Sequence, residues 1–250
     1  MEYCRDTGKC PAVLFVHGIL GTPRHFEPFI PLAASGWTVV NIRLKGHGGS
    51  AKDFSAASMD EWKRQVSLAA EELRRTHGRV VIAAHSMGTL FALNEAVEGK
   101  ADALFLLNVP LKLHIRPGLL RMLWSVFTGK IDPEDSWTMA ALNACGVEAE
   151  RNILAYAGWI PRFLELLREM RAAQKLLPKL GVPCRVYLSA RDELLSMAPA
   201  AAMAQNPHIS VTVLENSGHY YYSPEDMGKL QEDFSGLLSG FEPLPGNDAT

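Results

Sequence analysis

The stretch Val80-Val81-Ile82-Ala83-Ala84-His85-Ser86-Met87-Gly88-Thr89-Leu90-Phe91-Ala92 constrains the fold of this chain more than any other. A short β-branched, apolar run reaches a serine set among small residues, and helical periodicity follows. This is the sequence form of a strand, a tight turn and a helix, with Ser86 at the apex of the turn. Such an apex holds its serine in a strained backbone conformation, with Oγ lifted clear of the sheet and a helix N-terminus beneath it. The template is G-x-S-x-G, and here it reads Ala84-His85-Ser86-Met87-Gly88. The first position takes only a tiny side chain because the helix packs close to the strand, and alanine adds one methyl. A chance five-residue match, or Ser86 as an ordinary N-cap, is the competing explanation.

The rest of the chain repeats the strand-then-helix theme. Pro11–Val16 is a continuous apolar run, hence a buried strand, and the glycine-rich loop His17–Pro23 leads into an expected helix through about Ala34, with Thr22 as N-cap. Trp37–Leu44 reads as the second strand, ending in Lys45-Gly46-His47-Gly48-Gly49-Ser50. Ser58 with Glu61 is a capping box opening a helix to about Thr76. Val80–Ala84 is the third strand, and the helix after Ser86 runs to about Glu98. Ala103–Asn108, Arg185–Ser189 and Ile209–Leu214 are the fourth, fifth and sixth strands, the last two followed by expected helices Leu194–Ala204 and Pro224–Leu238.

Strands and helices alternating at this spacing predict an α/β fold: a mostly parallel, doubly wound sheet with reactive groups gathered at the carboxyl ends of the strands. About 75 residues separate the fourth and fifth strands where one crossover helix would suffice. Helical stretches are expected there near Gly118–Phe127, Glu134–Ala144, Val147–Tyr156 and Arg162–Leu177. An insertion at that point emerges on the reactive edge. The expected organisation is a core of residues 1–108 and 184–241, a helical cap of residues 109–183 leading into a core helix, and a flexible tail of residues 242–250. Leu119–Phe127 is apolar nearly all round, so it either packs inside the cap or lines an acyl pocket.

Composition limits the partners. With 48% apolar and 21% charged residues and a net charge of −2, neither nucleic acid nor an anionic membrane is suggested. Cys4, Cys10, Cys145 and Cys184 show no C-x-x-C spacing. Four spaced cysteines favour spare thiols and a reducing compartment, with a Cys4–Cys10 bridge as the alternative. Residues 1–9 lack the pattern of a secretory signal, and no apolar run is long enough to span a bilayer. The expectation is a cytoplasmic protein, monomer or homodimer, with no stable membrane anchor.

A serine becomes a nucleophile only beside a base whose tautomer a third group fixes. On such a sheet the partners should follow in the order serine, acid, histidine, each on a loop after a strand. Asp192, in Ser189-Ala190-Arg191-Asp192-Glu193 after the fifth strand, is the expected acid, with Glu193 one residue of register away. His219, in Glu215-Asn216-Ser217-Gly218-His219 after the sixth strand, is the expected base. An oxyanion formed in acyl transfer would need two N–H donors. Met87 supplies one, and the loop at Gly18 supplies the other through Ile19, with Leu20 as the alternative. Among the remaining histidines, His85 should project away from Ser86 into local packing, and His47 suits a structural hydrogen bond. His77 and His208 read as surface residues, while His25 and His114 are candidates to line the cleft without acting. No metal-ligand spacing occurs, so neither a metal nor a cofactor is expected.

The pieces His17-Gly18-Ile19-Leu20-Gly21, Gly46-His47-Gly48, His85-Ser86-Met87-Gly88, Asp192 and Gly218-His219 resemble the α/β-hydrolase superfamily. Within it the chain is most similar to bacterial carboxylesterases and monoacylglycerol lipases, from Pro11 to about Phe241. The resemblance implies the catalytic set Ser86, Asp192 and His219, with an oxyanion hole from Ile19 and Met87. Ala84 and Thr89 depart from the usual glycines of the turn. The implied activity is hydrolysis of a small, lipophilic carboxylic ester through an acyl-enzyme. A thioesterase, a C–C bond hydrolase and a non-hydrolytic binding protein on the same fold are the alternatives.

Overall fold

A computed structural model describes residues 10–33, 36–119, 125, 128, 130–146 and 152–241. Six strands form one parallel sheet: β1 (Pro11–Val16), β2 (Thr38–Ile42), β3 (Arg79–His85), β4 (Ala103–Leu107), β5 (Cys184–Ser189) and β6 (Ile209–Leu214). Their spatial order is β2-β1-β3-β4-β5-β6. The chain therefore leaves β1 toward one edge and returns to β3 on the other side. That reversal makes the β1/β3 boundary the switch point where a crevice opens beyond the strand ends.

Alternate side chains point to opposite faces of a strand, and both faces of this sheet are buried. Leu14, Val16, Ile82 and Ala84 meet one cluster, together with Trp62 of α2 (Met59–Thr76) and Phe91 of α3 (Met87–Val97). Val13, Phe15, Val81 and Ala83 meet the other, with Phe29 and with Phe234 of α7 (Pro224–Ser239). The aromatic rings of Phe15 and Phe234 stand 5.7 Å apart, and those of Phe105 and Phe234 5.1 Å. The expected capping box at α2 forms: Ser58 Oγ accepts from Glu61 N–H, and Glu61 accepts from Ser58 N–H. Further α-helices are α1 (Ala51–Ala56), α4 (Ser136–Ala144), α5 (Trp159–Gln174) and the single turn α6 (Ala200–Met203).

Several expectations change, each for a local reason. In place of a helix after β1 there are two 3₁₀ turns, Pro23–Phe26 and Ile30–Leu32. Pro28 and Pro31 have no N–H to continue a helix. Thr22 stands at the N-cap of the first turn with Pro23 next to it, as expected, but its hydroxyl makes no capping bond and donates instead to the Ala144 carbonyl at 3.4 Å. β2 stops at Ile42 because the N–H of Leu44 is taken by His17 Nε2 at 3.1 Å. The helix expected over Leu194–Ala204 shrinks to α6. The N–H groups of Leu194 and Leu195 are both held by the Asp192 carboxylate at 2.8 Å, and Pro199 disfavours helix in the residue before it. α1 was not anticipated, although Ser50 and Asp53 form a second capping box at its start.

Between β4 and β5, α4 begins at Ser136 because Asp135 caps it, accepting from Trp137 and Thr138 N–H. α5 starts three residues before its expected beginning, and Ile153–Tyr156 is a 3₁₀ turn. Most of Leu119–Phe127, residues 147–151 of the neighbouring expected helix, and residues 242–250 lie outside the described residues. His77 is buried rather than on the surface, its Nε2 2.9 Å from Thr38 Oγ1. Cys10 is disulfide-bonded, against the preference for spare thiols, whereas Cys184 is a buried free thiol. Among the described residues no helix is long and apolar enough to cross a membrane.

Candidate active site

Three non-glycine residues among those described have a positive φ: Leu20 at 59°, Ser86 at 49° and Asn108 at 52°. They follow β1, β3 and β4 respectively. Side chains resist this region of backbone space, and such strain persists where the surroundings impose it, commonly at functional sites. Here all three strained residues stand at the carboxyl edge of the sheet.

Ser86 is the sharpest case. Its N–H donates to the Leu107 carbonyl at 2.9 Å, which extends the β3–β4 pairing to the end of the strand, and the chain then reverses into α3 at ψ −124°. The reversal needs room on both sides. A Cβ on Gly18 would lie 2.9 Å from Ser86 Cβ, and one on Gly88 would meet the Val16 carbonyl oxygen and lie 2.8 Å from that of His17. Gly88→Ala is therefore expected to cost about 1–3 kcal/mol by overpacking against backbone that cannot yield. Urea unfolding checks it, and an unchanged midpoint would contradict the close approach. Ala84 is fully buried, so the methyl that departs from the usual glycine is accommodated in the core. Thr89, the second departure, donates its hydroxyl to the Ser86 carbonyl at 2.6 Å.

Ser86 Oγ lies 3.0 Å from His219 Nε2, and His219 Nδ1 lies 2.8 Å from Asp192 Oδ2. The three residues are 5%, 2% and 3% exposed, so this line of hydrogen bonds is shielded from bulk water. The other carboxylate oxygen, Oδ1, accepts the N–H groups of Leu194 and Leu195, which fixes the plane of the Asp192 carboxylate. With Nδ1–H directed at a carboxylate, Nε2 is left as the acceptor for the serine hydroxyl. This arrangement can withdraw a proton from Oγ and stabilise the imidazolium that results. Asp192 rather than Glu193 therefore faces the ring. The Glu193 carboxylate turns instead to the main chain, accepting the N–H of His219 at 2.8 Å. Burial holds the Glu193 carboxyl above the usual carboxylate range.

The N–H of Met87 falls in the first turn of α3, where helical N–H groups have no intrahelical acceptor. Across from it, a turn closed by Gly21 N–H to the Gly18 carbonyl at 3.1 Å carries Ile19 and Leu20. That turn is tied to the segment after α4. The Gly146 N–H donates to the Leu20 carbonyl at 2.7 Å, and Gly21 forms an isolated antiparallel bridge with Cys145. The ring of Trp137, on α4, stacks on Tyr221 at 5.0 Å, and a Cβ on Gly218 would collide with it.

Imidazoles crowd this edge. His25 stacks on His85 at 3.9 Å, and His85 stands 4.9 Å from His219. His85 does turn away from Ser86, placing Nε2 2.9 Å from the His219 carbonyl. His17 and His47 meet edge to face at 4.8 Å, and His47 Nδ1 lies 3.3 Å from the Lys45 carbonyl. Burial pushes His17 down to about 3, with the His47 charge adding to it, and pushes His25 down to about 3 and His47 to about 4. Burial also holds His85 well below its ordinary value, with His25 and His219 adding to the effect. These four rings are therefore neutral near pH 7. His114 and His208 are exposed. Among the described residues no group of three or more His, Cys, Asp or Glu side chains is arranged to hold a metal ion.

A doubly wound parallel sheet, with a serine, a histidine and an aspartate in hydrogen-bonded line at the ends of its third, sixth and fifth strands, defines a class of α/β protein. The chain belongs to the alpha/beta hydrolase family, whose model matches residues 13–229. It is 33% identical over 82 residues to a thermostable monoacylglycerol lipase of Bacillus sp. (strain H-257), covering 32% of this chain and 33% of the relative. The match thus spans about a third of that curated relative's length. Among solved structures, a metagenome-derived lipolytic enzyme superposes with a TM-score of 0.69 at 18% identity, covering 94% of this chain and 96% of the other. A monoacylglycerol lipase of Paleococcus ferrophilus superposes with a TM-score of 0.65 at 15% identity, covering 94% and 97%. These superpositions establish a common fold.

Proposed function

We propose that the chain hydrolyses small carboxylic esters with an apolar acyl group through a covalent acyl-serine. The observation that carries this reading is the line Ser86 Oγ, His219 Nε2 and Nδ1, Asp192 Oδ2, with successive separations of 3.0 and 2.8 Å. His219 takes the Ser86 proton as Oγ attacks the ester carbonyl. The oxyanion is met by the N–H of Met87 and by that of Ile19, with Leu20 as the alternative donor. Collapse of the intermediate releases the alcohol, which receives its proton from His219. A water deprotonated by His219 then attacks the acyl group, the carboxylic acid leaves, and Ser86 regains its proton. Each step uses side chains and main chain of the protein itself.

In this reading residues 1–108 and 184–241 form the catalytic core. Residues 109–183 cap it and select the acyl chain. The contacts of the segment after α4 with the Ile19–Leu20 turn, and of Trp137 on α4 with Tyr221, support that placement. The chain's similarity to a lipolytic enzyme and to monoacylglycerol lipases supports a lipophilic ester as substrate. The protein acts as a monomer or homodimer.

The test is a fluorophosphonate probe with intact-mass readout, run beside a series of p-nitrophenyl esters from acetate to laurate. One probe per chain on Ser86, with turnover peaking at one acyl length, is the expected result. Folded protein that takes up no probe and cleaves none of the esters would overturn the reading.

A further inference from the structure

β6 is an edge strand, and β4 and β5 stand between it and β3. Parallel strands lie about 4.8 Å apart, so the loop bearing His219 must reach across roughly 14 Å of sheet edge to place its imidazole on Ser86. The side chain of Asn108, at the end of β4, stands under that crossing. It is 1% exposed. Its Nδ2 donates to the Gly218 and His219 carbonyls, both at 3.2 Å, and its Oδ1 accepts the N–H of Ser189 at 2.9 Å. Ser189 ends β5, and its carbonyl accepts the N–H of Asp192 at 3.2 Å. One carboxamide thus ties the loop carrying the base to the loop carrying the acid.

The side-chain chemistry is specific. Both amide hydrogens and one oxygen lone pair are in use, and only a group that is donor at one atom and acceptor at the other fits these three partners. An isosteric carboxylate would set an oxygen against two carbonyl oxygens. Asparagine is also among the few side chains that accept the left-handed backbone seen here, φ 52°. Two neighbours complete the hold. His85 Nε2 donates to the His219 carbonyl, and the Glu193 carboxylate accepts the His219 N–H. The peptide groups on both sides of the His219 Cα are therefore fixed by side chains from the ends of β3, β4 and β5.

We propose that Asn108 is a positioning residue for His219, its carboxamide locking the main chain of the base loop against the acid loop so that the imidazole meets Ser86 and Asp192 together. The inference rests on reading His219 as the general base, and it adds a requirement that this reading alone does not contain.

Asn108→Gly tests it, because glycine keeps the left-handed backbone while removing the clamp. A misplacement of the reacting groups by about 1 Å costs about 100-fold, so kcat on the preferred ester should fall about 10–100-fold with KM within about twofold. The downfield proton resonance of His219 Nδ1–H should broaden or shift. The control is Asn206→Ala, since Asn206 makes the same kind of triple contact far from the site, to the Leu177 and Leu180 carbonyls and the His208 N–H. It should lower Tm and leave kcat and the resonance as in the parent. Should the glycine variant not fold, Asn108→Asp keeps the volume and the acceptor, loses both donors, and is read the same way. Parent-like kcat and an unmoved resonance in the folded variant would overturn the proposal. So would an equal loss of kcat in Asn206→Ala, which would mark general loosening. If the parent protein neither turns over esters nor reacts with the probe, the ester-hydrolase reading fails by itself, and the resonance alone then decides on the clamp.

Discussion

Ser86→Ala is expected to lower kcat on the preferred ester by about 10⁶, the loss that accompanies removal of a nucleophile from a serine–histidine–aspartate set. The residual rate should still exceed that in water by about 10³–10⁴, because under the proposed function the oxyanion is met by backbone N–H groups, which the substitution leaves in place. That floor separates a nucleophile from a merely structural serine. The fold should survive. Ser86 contributes one side-chain hydrogen bond, to His219, and a methyl occupies no more space than the hydroxymethyl group. Steady-state assays with thermal unfolding of both proteins check this. A variant that keeps a tenth of the parental kcat would remove Ser86 from the mechanism.

The second large effect concerns acid stability. His17, His25 and His47 are held down to about 3, 3 and 4 in the folded protein, against about 6.5 when unfolded. A base whose pKa is depressed on folding contributes its full stability above the unfolded value, and the contribution drains away as pH falls toward the folded one. Below pH 6.5 the unfolded chain binds protons that the folded chain refuses. Between pH 6.5 and 5.5 each histidine should cost about 1 kcal/mol, so the three together cost about 3 kcal/mol, and the slope steepens further below. A domain of ordinary stability, about 5–15 kcal/mol, would lose a large share of its margin. His17 has a geometric reason as well. Its Nε2 accepts the N–H of Leu44 while its Nδ1 faces the Gly18 carbonyl at 2.9 Å, so a second ring proton would set N–H against N–H. Urea titrations from pH 7.5 to 5 measure the effect, and His17→Gln should flatten the slope by up to one proton. Stability that stays level across this range would show that these rings protonate in place.

Much of this could be read along the chain. Strand runs such as Pro11–Val16 and Ile209–Leu214 match the sheet to the residue: the first is buried along its whole length and unbroken in apolar pattern, and the second, on an edge, alternates apolar residues with Ser210 and Thr212. The α2 capping box is equally local. The meeting of Ser86, Asp192 and His219 was legible because each sits just past a strand, and parallel strands bring all such positions to one edge. The failures share a different cause. The lost helix after β1 turns on prolines, and the truncated one after β5 turns on a carboxylate that claims its first N–H groups. His77 is buried by a contact 39 residues away, with Thr38. Asn108 carried no local signal at all, since its partners Gly218 and His219 lie 110 and 111 residues on. Contacts between loops of different strands depend on strand order, and no window of sequence contains that. The glutamate at 193 was weighed as an acid, and its place at the His219 main chain could not be inferred without the fold.

The bridge between Gly21 and Cys145, with the hydrogen bond from Gly146 to Leu20, bears on how such a protein can diversify. Under the proposed function, the segment that chooses the substrate and the turn that would receive the oxyanion share main-chain hydrogen bonds. The insertion is therefore not a detachable module. An exchange of caps between relatives that cuts the chain just after β4 and just before β5 would import foreign residues at 144–146 and reset the turn bearing Ile19 and Leu20. A graft that keeps residues 144–146 native and replaces only what precedes and follows them leaves this joint intact. Specificity and rate are thus coupled through one short stretch of backbone, and selection for a new substrate would meet its first constraint there.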